Sequence, residues 1–444
     1  MVDNPVGVGR AWTRILLTLA LLAVFRLAAL LPLPGIDTSS LEHLGGSFGV
    51  NVMALGITPF VASFVFVELS SFVLPMAGKL RRGGIAGRSK LNTFAIRLGL
   101  GMALLQAVGI ATALQQTVAP GGVSVVLHPG LLFILSSATT LVAGATLAFL
   151  VAKLVSRWGV GNGFCLIILL EYVWRAFAQA HNSAPATDLV FGNMLEGLAW
   201  LVAIGLLVWR FALRSQAALR DSRQEMIPLL ALTAFPQGTL PVIWAYGIFN
   251  FLSSLRSVFA LPRGVERSPI ALLFMTVLIA AFSLGAFHLF SSRERLERNL
   301  PPGALPPEGG AIPRRSLLQS TALLVVFGVG FPAGERYLDF RFAVFGFPVI
   351  VMAVALGFDL VAEWRFRQRH GDRVACLIEM DNVYYAGYLH GFLAKQGFDS
   401  LIRAFHYRSL FFDLLPIVKI ELLVPAAELK PVQEIIRPER IEVV

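Results

Sequence analysis

The chain has 444 residues, 56% of them hydrophobic and 14% charged, with a formal net charge of +10 and a mean hydropathy of +0.72. A soluble globular chain carries about a quarter of its residues as charges, so these values exclude an ordinary soluble enzyme and a disordered chain and point to a polytopic membrane protein. The two cysteines, Cys165 and Cys376, are too far apart for a metal motif and read as packed thiols.

A membrane-spanning helix needs roughly 20 apolar residues. In chain order such windows fall at 12–31, 55–74, 91–114, 131–154, 161–177, 195–213, 240–255, 269–290, 317–331 and 345–361. The positive charge follows alternate windows, with Arg256, Arg263, Arg267, Arg336 and Arg341 as exceptions in the second half. Lys79, Arg81, Arg82, Arg88 and Lys90 come after the second, Lys153 and Arg157 after the fourth, and Arg210, Arg214, Arg220 and Arg223 after the sixth. Arg293, Arg295 and Arg298 follow the eighth, and Arg365, Arg367 and Arg369 the tenth, while 34–52 and 115–130 contain no Lys or Arg. The positive-inside rule then puts both termini in the cytoplasm and gives the basic charge a topological meaning rather than a nucleic-acid one. Ten spans with both ends inside divide into two sets of five with inverted topology, an arrangement that places a pathway between the halves.

After Gly371 the composition changes. Residues 374–379 read as a strand, 383–395 as a helix ended by Gly397, 400–406 and 418–424 as two more strands, and 426–436 as an amphipathic helix. The expected fold is therefore an all-α polytopic membrane domain of ten helices over 1–370, followed by a small cytoplasmic α+β domain over 371–444. No Walker A run, no His-Glu-x-x-His and no Gly-x-Ser-x-Gly occurs. The expectation is a protein that is not an enzyme and needs no cofactor or metal.

Several blocks carry a more specific signal. The first window holds Phe25-Arg26-Leu27 and breaks on Pro32, Pro34 and Gly35 before Asp37. Further blocks are Gly56-Ile57-Thr58-Pro59-Phe60-Val61, Gly109-Ile110-Ala111-Thr112, Gly159-Val160-Gly161-Asn162-Gly163 and Phe345-Gly346 with Asp359. In this order and at these spans the chain resembles the SecY family, the channel subunit of the protein translocase, over about 10–364.

The resemblance implies a protein-conducting channel for unfolded polypeptides, crossing the cytoplasmic membrane or releasing them laterally into it. It also implies a ring of apolar side chains that seals the idle pore by excluding water. Carried onto this sequence, the ring falls on Ile57, Val61, Phe164, Ile168, Ile243 and Met352. The plug falls on 41–51, shorter than is usual in the family, and Glu68 and Asn162 come near the lateral gate. Arg220, Arg223, Arg314 and Arg315 become candidates for docking cytoplasmic partners. The implied partners are SecE-like and SecG-like small subunits, a SecA-like motor ATPase or a ribosome, the unfolded preprotein and membrane lipid. Two rival readings remain open: a divergent SecY-like paralogue serving special substrates or scaffolding, and a secondary transporter, which inverted repeats equally allow.

Overall fold

The structure is a computed structural model that describes residues 11–37, 50–82, 84–117, 124–182, 202, 217–220, 226–229, 241–242, 245, 269–291, 314–337, 346–371, 373–380, 383–406 and 420–436. It divides into two compact units, the first over Gly9–Leu170 and the second mainly over Glu171–Leu415 and Lys419–Val444.

The first unit is built from helices α1 (Ala11–Ala28), α2 (Thr58–Val73), α3 (Pro75–Arg82), α4 (Gly84–Gln115), α5 (Leu131–Trp158) and the start of α6 (Gly163–Asn182). Pro32 and Pro34 end the first helical segment, as their fixed φ and missing N–H require. The chain then turns at Gly35, whose φ of +82° suits glycine. This exit is stitched to the neighbouring connections: Asp37 N–H donates to the Val125 carbonyl at 2.9 Å, Leu127 N–H to Gly35 at 3.0 Å, and Val52 N–H to Leu31 at 3.0 Å. Leu33, Ile36, Val125 and Val126 bury their side chains there. Helix α2 starts with Pro59 in its first turn, where a missing N–H costs nothing. It stops at Leu74, extended at ψ 119°, just before Pro75.

Helices α4 and α5 carry apolar stretches, Ser89–Gln115 and Leu131–Trp158, long enough to cross a bilayer by length and composition. Shorter apolar stretches occupy Gly163–Trp174, Leu272–Gly285 and Leu317–Val326. Lipid is as apolar as a side chain, so helices in it associate through close packing rather than through the hydrophobic effect. Small residues show where that happens. A Cβ on Gly144 of α5 would lie 1.9 Å from the Val52 carbonyl oxygen, and one on Gly99 of α4 2.7 Å from Phe60 Cδ1 on α2.

The second unit contains a hairpin of β1 (Ala217–Arg220) and β2 (Met226–Leu229), then helices α7 (Pro269–Ser291), α8 (Arg314–Tyr337) and α9 (Gly346–His370). Strand β3 (Val374–Met380), helix α10 (Val383–Lys395), β4 (Leu401–Arg403), β5 (Ile420–Pro425), a 3-10 turn at Ala426–Glu428 and α11 (Leu429–Ile436) follow. Helices α7 and α8 pack together. A Cβ on Gly328 of α8 would approach Ile279 Cδ1 of α7 to 2.7 Å and Val242 to 3.3 Å.

The C-terminal strands form one antiparallel sheet in the order β3-β5-β4, with Val374 opposite Pro425 and Ile402 opposite Leu422. Helix α10 packs on β5 and Leu423 clusters with Phe366 of α9, so Ile420, Leu422, Leu423 and Val424 are all buried and the simple alternation read at 418–424 gives way to burial on both faces. The strand expected at 400–406 is only Leu401–Arg403, since Ala404 takes φ +61° and breaks the ladder. The helix expected over 426–436 begins as a 3-10 turn and becomes α-helical only from Leu429. Helix α10 ends as read: Gly397 sits at φ +83° and Phe398 N–H donates to Leu393 at 3.0 Å, a glycine-type cap. The expected spans at 195–213 and 240–255 lie outside the described residues apart from positions 202, 241, 242 and 245, whereas the other eight each overlap a helix, with Gly84–Gln115, Arg314–Tyr337 and Gly346–His370 running well beyond the expected limits.

Candidate functional site

The connection between α5 and α6 is the most tightly constructed part of the first unit. Its sequence is Gly159-Val160-Gly161-Asn162-Gly163. Helix α5 exposes its last carbonyls here, and Arg14 of α1 answers one of them: Nε donates to the Gly159 carbonyl at 3.0 Å and Nη2 donates to the same oxygen. A basic group at a helix C-terminus also suits the helix dipole. Thr18, one turn further along α1, accepts the Val160 N–H at 2.9 Å. Ser156 Oγ accepts the Gly163 N–H at 3.0 Å, and Asn162 Oδ1 caps α6 by accepting the Phe164 N–H at 2.9 Å. The glycines are dictated by contact. A Cβ on Gly163 would lie 2.2 Å from the Ala152 carbonyl oxygen, and one on Gly159 2.5 Å from Thr18 Oγ1. Asn162 is buried, and its Nδ2 has no hydrogen-bond partner among the described residues.

This turn seats the first residues of α6 against α5. Ile57, at the N-cap of α2, is 1% exposed and Phe164 is fully buried, whereas Val61 and Ile168 are half-buried. Phe149 joins the two helices: its ring stacks on Phe60 at 4.5 Å and on Phe64 at 6.3 Å, and meets Phe164 edge-on at 5.8 Å. Phe164 is thus anchored in an aromatic cluster. Met352 is buried on α9 in the second unit, and Ile243 lies outside the described residues beside buried Val242. Ile57, Val61, Phe164 and Ile168 lie in the same unit, and Phe164 is linked to α2 through the Phe149 ring.

Of the remaining candidates, Glu68 is on α2, Arg220 ends β1, and Arg314 and Arg315 open α8, with their side chains outside the described set. Arg223 lies outside the described residues, as does the plug segment up to residue 49.

Polar chemistry concentrates around the end of α9. Glu363 Oε1 accepts from Arg367 Nη2 at 2.9 Å, and its Oε2 lies 3.4 Å from Arg403 Nε. Arg403 Nη1 donates to Glu421 Oε2 at 2.9 Å. Burial opposes the charge on Arg403, but Glu363 and Glu421 together outweigh it and hold the guanidinium above its ordinary pKa. His406 places both its backbone N–H (2.9 Å) and Nδ1 (2.8 Å) on Asp359 Oδ1, a geometry set up by the left-handed Ala404. Asp399 Oδ2 holds Arg369 at 2.8 Å and His370 Nε2 at 2.7 Å. Phe366 is buried with Val374 and Leu423. Burial pushes the nearby Cys376 thiol up to about 12, with Glu421 and Glu379 adding to the effect, so it stays an unreactive thiol at neutral pH. Among the described residues no group of His, Cys, Asp and Glu could hold a metal ion.

A SecY family profile matches residues 51–302, more than half of the chain. The chain belongs to the SecY family. It is 27% identical over 285 residues to the protein translocase subunit SecY of Buchnera aphidicola subsp. Acyrthosiphon kondoi, covering 57% of this chain and 79% of that one. Against the Escherichia coli (strain K12) subunit SecY the identity is again 27%, over 57% of this chain and 63% of the relative. The Synechococcus elongatus subunit is 29% identical over 65% of this chain and 73% of its own length. A solved SecY structure, concerned with the plug domain and the closed channel, superposes with a TM-score of 0.50 at 13% identity, over 84% of this chain and 95% of that one, and shows the shared fold. SecY membership makes this chain a polytopic, mostly helical integral membrane protein of a protein-translocase channel family, and not an enzyme.

Sequence reading did not find Arg14 and Thr18 as partners of the α5–α6 connection, nor Phe149 as the ring joining α2 to α6. A lone Arg near the start of a first span has an ordinary topological explanation, and nothing in its spacing points to a loop 145 residues away. The β1–β2 hairpin was also missed. Its strand Met226-Ile227-Pro228-Leu229 contains a proline, which argues against a central strand but is compatible with an edge.

Proposed function

We propose that the chain is a channel subunit through which unfolded polypeptides cross the cytoplasmic membrane or leave sideways into its lipid. The observation that carries this reading is the SecY profile match over 51–302, joined to a physical basis for its most specific block. In that connection Gly163 lets α6 close on α5, Gly159 lets α1 approach, Gly161 takes a left-handed turn, and the Asn162 side chain caps α6. In this reading ten spans in two inverted halves have both termini in the cytoplasm, and residues from 371 onward make a separate α+β domain. Ile57, Val61, Phe164, Ile168, Ile243 and Met352 form the apolar constriction, which keeps the idle pore dry because flexible apolar side chains exclude water. Half-buried Val61 and Ile168 are the ring members best placed to touch a passing chain. Glu68 and Asn162 stand near the lateral gate.

SecE-like and SecG-like subunits brace the spans, and Arg220, Arg223, Arg314 and Arg315 meet a motor ATPase or a ribosome. The curated relatives carry the name protein translocase subunit SecY, and the partners are those of such a translocase. A secretory substrate stalled in transit tests the reading. Photocrosslinking probes at Val61 and Ile168 should capture the substrate strongly, and a probe at Leu105, 76% exposed on α4, should capture lipid instead. Equal capture at the three positions would refute a central path.

A further inference from the structure

Helix α10 is too thoroughly buried for its place in a small sheet domain. A helix lying on one side of a sheet buries one stripe and leaves the opposite face wet. At about 100° per residue, Ala386, Leu389 and Leu393 fall on one face of α10, with His390 beside them, and all three apolar side chains are buried. His390 Nδ1 is 2.8 Å from Ser400 Oγ, just before β4, so this face lies against the sheet. Gly387, Tyr388 and Gly391 fall on the other face, and they are buried too. Tyr388, 6% exposed, is the central ring of a row in which Tyr385, Tyr388 and Phe392 follow at 6.4 Å intervals. Among the described elements α10 packs along β4, β5 and, most extensively, β2, the second strand of the hairpin between the sixth and seventh expected spans. That hairpin is far away in sequence and lies inside the membrane domain's own connection.

We propose that the C-terminal region is an intramolecular clamp: α10 grips the chain's own 217–229 hairpin on the face turned away from the sheet, while Glu363, Asp359 and Phe366 fix the sheet to the end of α9. The clamp ties two cytoplasmic connections of the second unit into one body. A partner that reads the hairpin through Arg220 or Arg223 competes with α10 for it. The hairpin's occupancy of α10 stands on burial and packing alone. Its effect on transport rests on the function proposed above.

The full chain in membranes tests both parts. A protease site inserted within 292–313 divides the protein into two fragments on a denaturing gel unless a crosslink rejoins them. Cysteines placed in turn at Ile227 and Leu229, each against Tyr388→Cys, should rejoin the fragments with a short bismaleimide. A Cβ at Gly387 meets nothing within 4 Å, so Gly387→Ala should leave the crosslink intact and improve the helix. Gly387→Arg should cut the yield about tenfold, the equivalent of about 1.4 kcal/mol, with unchanged protein level. No crosslink in any parental pair, or full yield in Gly387→Arg, overturns the clamp. If the crosslink behaves as expected, Gly387→Arg should also raise transport of a secretory substrate into vesicles, and the crosslinked form should transport more slowly. Equal rates in both forms would overturn the competition while leaving the docking. Absence of transport in every form, with the crosslink pattern intact, would instead count against the channel reading.

Discussion

Two regions of the chain, the helices of the first unit and the end of α9 with its sheet, solve the same problem with different physics. In Gly9–Leu170 cohesion comes from backbones that approach until a methyl group no longer fits, with an aromatic cluster around Phe149 between α2 and α6. At the end of α9 it comes from an apolar core of Phe366, Val374 and Leu423 ringed by ion pairs through Glu363, Arg403, Glu421, Asp359 and Asp399. The contrast follows the solvent. Lipid offers no hydrophobic driving force between helices and makes charge costly, so contact area and shape must hold them. Water rewards apolar burial and lets paired charges fix geometry at its edge.

The comparison is broken most directly at Glu363. Its carboxylate is 8% exposed and serves Arg367 and Arg403 at once. Removing one partner of a buried pair costs about 3–5 kcal/mol, because the other charge is left without compensation. Arg403 keeps Glu421, so the low end applies. Glu363→Leu should expose the C-terminal region to limited proteolysis in the full chain while leaving membrane insertion intact. Equal protease resistance in the variant would mean that the ion pairs are ornamental and that Phe366 packing alone joins α9 to the sheet.

In the first unit the corresponding change is a single methyl. Gly144→Ala brings a Cβ against the backbone oxygen of Val52, which cannot rotate away, and overpacking of this kind costs about 1–3 kcal/mol. Helix propensity alone predicts the opposite sign, a gain of about 1 kcal/mol for Ala over Gly. The measurement is the thermal midpoint of the purified protein, with Gly101→Ala on α4 as the control, since a Cβ there meets nothing within 4 Å. Gly144→Ala should lower the midpoint and Gly101→Ala should hold or raise it. If the two move together, close backbone packing is not what binds this unit.

How far each unit was legible follows from the same contrast. Apolar windows broken by Pro32, Pro34 and Pro75 determine where helices start and stop, because length and proline chemistry are local properties. The tail helix was legible down to its Gly397 cap for the same reason. Local pattern is silent on partners. Nothing in the sequence around Gly144 says that Val52 lies against it, and the Arg14 contact with Gly159 joins residues whose local roles are both ordinary. The alternation read at 418–424 also misled at its end, because burial on both faces of β5 comes from distant elements packed on it, α10 and Phe366 of α9. The expected ring at Ile57, Val61, Phe164 and Ile168 rests on family wording alone, since an apolar side chain lining a path has the same composition as one filling a core.

The finest discrimination between the units is a response to pH, carried by His390. Its imidazole is buried on the sheet side of α10 and bonded to Ser400. Burial lowers its pKa below the ordinary 6.5, and Asp399 opposes the shift without reversing it. A base with a lowered folded pKa holds fewer protons folded than unfolded in the interval below 6.5, so stability falls with pH there and levels off once the folded form is also protonated. Above 6.5 the group contributes no slope. His370 and His406 also face carboxylates, Asp399 and Asp359, so the signal must be read as a difference between proteins. Protease resistance of the C-terminal region, followed from pH 7.5 down to pH 5, should decline in the parent chain and decline less in His390→Gln. The first unit's core at Phe149, which has no histidine among its ring partners, should hold its protection over the same interval. An identical decline in His390→Gln would remove buried His390 from the account.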